Sequence, residues 1–94
     1  MGAAEAAVEE AESLYEQAKV LRAQARADLE RTQKLAEQNI KAAAQLQREE
    51  YLVLAAERQV VASERRWHAA THVLEQARAA LKTADSSESA ESYP

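Results

Sequence analysis

The side chains best equipped for chemistry fall in one stretch, Glu64-Arg65-Arg66-Trp67-His68-Ala69-Ala70-Thr71-His72. His68 and His72 are four apart, so an α-helix sets both imidazoles on one face, where they could chelate a divalent metal. Glu64, one turn earlier, would be the third ligand. The zincin pattern needs Glu directly after the first His, and Ala69 stands there. The spacing fits solvated histidines on a helix face better than a metal centre, so no metal or other cofactor is expected. Nucleophilic catalysis lacks its parts as well. Ser63 and His68 sit near opposite sides of one helix, and a lone helix offers no oxyanion hole. Glu49 and Glu50 are paired carboxylates without the concave, low-dielectric setting that would raise the pKa of one of them. There is no cysteine, hence no thiol nucleophile, disulfide or thiolate metal site. No catalytic residue is assigned, and enzyme activity is not expected.

The elements that carry these residues follow from composition. Of 94 residues, 23 are Ala and 22 are Glu or Gln, while Leu, Ile and Val together number 16. Phe is absent, and the single Gly and single Pro stand at positions 2 and 94. Ala, Glu, Gln, Leu, Arg and Lys are strong helix formers, and nothing between Ala3 and Ala84 breaks a helix. The chain is therefore all-α, with a helical region over 3–84. Run straight, it would make a rod of about 120 Å. A rod of that length needs a partner surface, because helix propensity alone does not hold it.

A seven-residue repeat provides that surface. One column is Ala11, Ala18, Ala25, Thr32, Asn39, Leu46, Val53, Val60, Trp67, Leu74 and Leu81. Three residues on runs a second, with Leu14, Leu21, Asp28, Leu35, Ala42 and Glu49 in its first half and Ala56, Ser63, Ala70, Ala77 and Ala84 in its second. Spacing of 3.5 residues keeps both columns on one seam. Two architectures share this pattern. One is a long helix in a coiled coil or bundle, with Asn39 fixing register. The other is an antiparallel helical hairpin bent near 37–41, where the seam is weakest and Asn39 would cap the first helix. In the hairpin the large residues of one half meet those of the other, with Leu14 and Leu21 expected against Leu81 and Leu74. Alanines fill the alternate layers and let the helices approach closely.

The seam defines the expected interface: Leu14, Leu21, Leu35, Leu46, Val53, Val60, Trp67, Leu74 and Leu81, joined by the adjacent Leu54. Val8, Tyr15, Leu29, Ile40, Leu52, Val61 and Val73 widen the apolar stripe, most clearly between Leu46 and Val61. That breadth points to a third or fourth helix, from another chain or another copy. Trp67, flanked by Arg65 and Arg66, has the composition of an interface hot spot, although an indole filling a core position is the plainer reading. Tyr15 and Tyr51 flank the seam, their hydroxyls reaching water.

Charge is unevenly spread. Residues 1–16 are acidic and 17–41 basic, with an overall net of −4. The early glutamates oppose the positive end of the helix dipole, and Glu30–Lys34 and Glu37–Lys41 are well-oriented i,i+4 pairs. The net charge argues against nucleic-acid binding and against an anionic lipid surface. No run of 18 apolar residues exists to span a membrane. The start, Met1-Gly2-Ala3-Ala4-Glu5, has no basic n-region, and Ala6 stands where myristoylation wants Ser or Thr. A cytoplasmic location is expected. Residues 85–94, with four Ser and three acids, read as a disordered acidic tail.

Leu54-Ala55-Ala56-Glu57-Arg58-Gln59-Val60-Val61, then Trp67 and Ala70-Thr71-His72-Val73-Leu74-Glu75, resembles part of the SH3-domain-binding protein 5 family. So does Tyr15–Gln33 with its Ala, Gln and Arg repeats. The resemblance spans residues 15–77, less than half of such a protein, and needs a gap between Val61 and Trp67. It implies an antiparallel coiled-coil array, exchange activity on a Rab-type GTPase, and adaptor roles in kinase signalling. No functional residue carries over, and the further helices of that array are missing from this chain. The residues alone favour a coiled-coil interaction or scaffold protein that binds itself or a helical partner. Regulation of a Rab-type GTPase, or an adaptor role in signalling or vesicle traffic, is the alternative.

Overall fold

The computed structural model describes residues 2–38 and 42–91, with side chains through residue 86. Two helices make up the described chain, α1 over Gly2–Ala36 and α2 over Ala43–Glu91. They pack against each other as an antiparallel hairpin 85 Å long and about one helix pair thick, 15 × 14 Å in section. The continuous-rod reading is thereby corrected. α1 ends in a turn through Glu37 and Gln38, whose amides donate to the carbonyls of Gln33 (3.2 Å) and Leu35 (3.1 Å). These bonds occupy two of the carbonyls that a helix end leaves open. The predicted bend at 37–41 starts in this turn, while Asn39, Ile40 and Lys41, and with them the expected cap and the Glu37–Lys41 pair, lie outside the described residues. α2 carries helical backbone through Glu91, into the stretch whose composition suggested a disordered tail, and 92–94 lie outside the described residues.

Three contacts fix the pairing of the helices. The rings of Tyr15 and Trp67 stack at 5.5 Å between centroids. Arg26 bonds Glu57 at 3.0 Å, and Arg78 approaches Glu5 at 3.7 Å. Stepping seven residues in opposite directions from Tyr15–Trp67 brings Val8 level with Leu74. Stepping fourteen the other way brings Leu29 level with Val53. Between these large layers lie small ones, with Ala11 opposite Ala70, Ala18 opposite Ser63 and Ala25 opposite Ala56. Small layers allow close approach of the backbones, and the large ones fill the gaps above and below. Among the described residues, Ala11, Ala18, Val60 and Leu74 are the buried apolar ones, with Thr32 and Ser63 buried beside them.

The expected partners of Leu14 and Leu21 are therefore wrong. A bend near 37–41 sets Tyr15 level with Trp67, so Leu81 and Leu74 lie too near the open end to reach Leu14 and Leu21. The α1 seam also differs from expectation. Its Ala11–Ala18–Ala25–Thr32 column packs inward, but the flanking column is Val8, Tyr15 and Leu29, all half-buried. Leu14, Leu21 and Leu35 stay 44%, 51% and 57% exposed. Turning the Tyr15 flank of the alanine column rather than the Leu14 flank toward α2 exchanges leucine burial for the Tyr15–Trp67 stack and the two cross-helix ion pairs.

Candidate functional site

The hairpin has two long edges, and they differ in chemistry. On one edge, cross-helix ion pairs join Glu5 to Arg78 and Arg26 to Glu57. These side chains are about half exposed, so each pair contributes roughly 0.2–1 kcal/mol and mainly selects register. Lys19 on the same edge bonds Glu16 at 2.9 Å and lies 4.5 Å from the Tyr15 ring centroid. The bond to Glu16 holds its ammonium above the ordinary lysine pKa. Lys19, Tyr15, Trp67 and His68 form a continuous column, with the indole 5.6 Å from the His68 ring.

The opposite edge is open and apolar. Leu14, Leu21 and Leu35 of α1 recur at heptad spacing along it, facing Leu52 and Val73 of α2, which are 61% and 58% exposed. Two shallow grooves run along this edge. One is lined by Leu14, Gln17, Ala18 and Leu21 against Gln59, Ser63 and Arg66. The other joins Leu21, Ala25 and Asp28 to Glu49, Leu52 and Ala56. Both are surface troughs between two antiparallel rods of side chains. A separate apolar strip runs along the back of α2, where Leu54 and Val61 alternate with Arg58 and Arg65.

The expected interface residues divide accordingly. Val60 and Leu74 are buried in the intramolecular seam, and Leu46, Val53 and Trp67 are half-buried there. Leu14, Leu21 and Leu35 line the open edge, and Leu54 lies on the back of α2. Leu81 is 47% exposed near the open end, level with the first residues of α1. Leu52 and Val73 belong to the open edge although periodicity ranks them only as widening residues. Their heptad spacing from Gln59 and Arg66 is the sequence signal that places them there.

Three polar side chains of the Ser63–His72 stretch have partners on their own helix. Ser63 Oγ donates to the Gln59 carbonyl at 2.7 Å, and Thr71 Oγ1 to that of Trp67 at 2.9 Å. His72 Nδ1 lies 3.4 Å from Glu75, and no group of three or more metal-ligating side chains occurs among the described residues. One local defect interrupts the seam. Glu49 projects into it level with Thr32, its Oε1 accepting from Gln45 at 3.1 Å while its buried Oε2 has no partner. No helix among the described residues is long and apolar enough to cross a membrane.

Comparison with protein-family models, curated proteins and solved structures gives no match for this chain.

Proposed function

We propose that this chain is a protein–protein interaction module, a rigid antiparallel hairpin whose working surface is its open leucine edge. One observation carries the reading. The same hairpin that ion-pairs one edge leaves Leu14, Leu21, Leu35, Leu52 and Val73 largely exposed along the other. A contiguous apolar surface on a small protein marks a site of association. The intramolecular core supports this reading, since none of the large side chains among the described residues is fully buried. A two-helix layer of this kind gains stability by covering its second apolar face.

The partner is helical, because a straight groove between two helices accepts a third helix along its length. The role is stoichiometric assembly, as in a scaffold. The test compares the wild type with Leu21→Glu/Leu52→Glu, two exposed positions where substitution spares the seam. Circular dichroism should be unchanged, and crosslinking of the tagged chain in cells should lose its associations. Retention of the same associations by the variant would place the working surface elsewhere.

A second reading, regulation of a Rab-type GTPase, is motivated by the resemblance over residues 15–77 and by an architecture, the antiparallel hairpin, of the kind the resemblance implies. Nucleotide release from a Rab-type GTPase with and without the chain tests it. An unchanged release rate at excess chain removes that reading.

A further inference from the structure

Off both the seam and the leucine edge, the two helices carry outward strips of opposite charge. On α2, Leu54, Arg58, Val61 and Arg65 follow at i, i+4, i+7 and i+11, which keeps all four on one strip. They line a shallow groove with Ala62, in which Leu54 and Val61 are 42% and 46% exposed. Glu57 also borders the groove, but it is bonded to Arg26. On α1, Glu5, Glu9, Glu12 and Glu16 repeat the same spacing, and all four are exposed.

These charges are not satisfied along their own helices. The residues three and four away from Arg58 are Leu54, Ala55, Val61 and Ala62. Those around Arg65 are Val61, Ala62, His68 and Ala69, so neither arginine has an acid one turn away. Glu9 and Glu12 likewise have no base one turn away. Among the described residues none of these four takes part in an ion pair, whereas Lys19, Arg31 and Lys34 each pair with an acid on α1. In the acidic strip Glu5 and Glu16 are the paired ones, with Arg78 and Lys19.

The strips complement each other in spacing as well as sign. Arg58 and Arg65 are seven residues apart, about 10.5 Å along a helix, and Glu5–Glu12 and Glu9–Glu16 have the same separation. Two helices laid strip to strip therefore bring both guanidinium groups to carboxylates in one alignment. Ala6 and Ser13, exposed beside the glutamates, are small enough to admit Leu54 and Val61. Both strips face outward from the hairpin, so they meet only between copies.

We infer that the arginine strip of α2 is a docking site for the acidic strip of α1 of a second copy. The contact joins two different patches, so it is heterologous. After one docking event the first copy keeps a free acidic strip and the second a free arginine strip, and the assembly extends with concentration. The leucine edge takes no part, and this contact stands or fails independently of that edge's role.

Complementation between half-disabled chains is the test. Arg58→Gln/Arg65→Gln neutralises one strip, and Glu9→Gln/Glu12→Gln weakens the other. All four positions are exposed and Gln is a good helix former, so circular dichroism should show the hairpin intact in both variants. In sedimentation equilibrium at low salt, the wild type should exceed the chain mass of 10.4 kDa increasingly with concentration, and return toward it in high salt. Each variant alone should associate at least about tenfold more weakly. Their equimolar mixture should form a complex of one copy of each and nothing larger, because that pair retains one intact strip of each sign. A wild-type monomer at low salt overturns the inference. So does self-association that either variant keeps or that high salt leaves untouched, since an apolar contact would then hold the copies. A mixture no more associated than the separate variants overturns it as well.

Discussion

Truncating the stacked pair at the middle of the hairpin is the most informative perturbation of its fold. Trp67→Ala removes an indole that packs at 5.5 Å on Tyr15 and lies half-buried between small layers. Truncation of a fully buried Trp or Phe costs about 3–5 kcal/mol. Half burial reduces that to roughly 2 kcal/mol, by the area scaling of apolar transfer. Tyr15→Ala should cost about 1–2 kcal/mol on the same reasoning. The two effects are not independent, since an aromatic pair contributes about 0.5–1.5 kcal/mol beyond its area. A double-mutant cycle should therefore show a coupling of about 1 kcal/mol. The assay is urea denaturation followed by ellipticity, at one fixed protein concentration because association would otherwise shift the midpoint. Trp67→Ala should also lower the melting temperature by roughly 10 °C, from the usual scaling for a domain of this size. Tyr51→Ala is the control, as Tyr51 is 66% exposed and should move stability by less than about 0.5 kcal/mol. Single effects as small as the control, or additivity within about 0.3 kcal/mol, would refute the pairing of Tyr15 with Trp67.

Glu49→Leu should raise the urea midpoint, stabilising the chain by about 1–2 kcal/mol, since it removes a buried carboxylate oxygen without a partner; a lower midpoint would mean that Glu49 is satisfied in solution. Val60→Asp, at a position 4% exposed, should cost at least about 3 kcal/mol and strip most helicity. An unchanged spectrum and sedimentation profile would remove Val60 from the seam. Arg26→Glu should cost less than about 1 kcal/mol, and the added Glu57→Arg should restore it, with a gap that closes in high salt. A double variant no better than the single would break the register deduced from this pair.

Particular residues show how far the pattern is legible in the sequence. In α2 the Leu46–Val53–Val60–Trp67–Leu74 column and its small partners follow one heptad track, and the packing uses that track. In α1 the alanine column is shared by two tracks. Leu14, Leu21 and Leu35 lie on one side of it, Val8, Tyr15 and Leu29 on the other, and both keep a heptad period. Periodicity within one helix does not distinguish them. The decision comes from cross-helix contacts, Tyr15 on Trp67 and Arg26 on Glu57, which depend on where the turn sets the register. By size alone Trp67 is too large for a two-helix seam. Alternating small layers and an aromatic opposite supply its room. The leucine column that periodicity assigns to the core is thus the exposed edge, so its residues are legible in the sequence while their exposure is not.

The register in which the chain folds back on itself decides which residues meet and which stay exposed, and one measurement addresses it most directly. The native sequence has no cysteine, so Ala18→Cys with Ser63→Cys introduces the only two thiols. Both positions are 3% exposed and line the same groove across the helices. Oxidation of the dilute variant should give a monomer with an internal crosslink, running faster than its reduced form on a denaturing gel, while Ala18→Cys with Leu81→Cys should give none. Crosslinked dimers in place of the internal species, or equal internal crosslinking by both pairs, would contradict the hairpin.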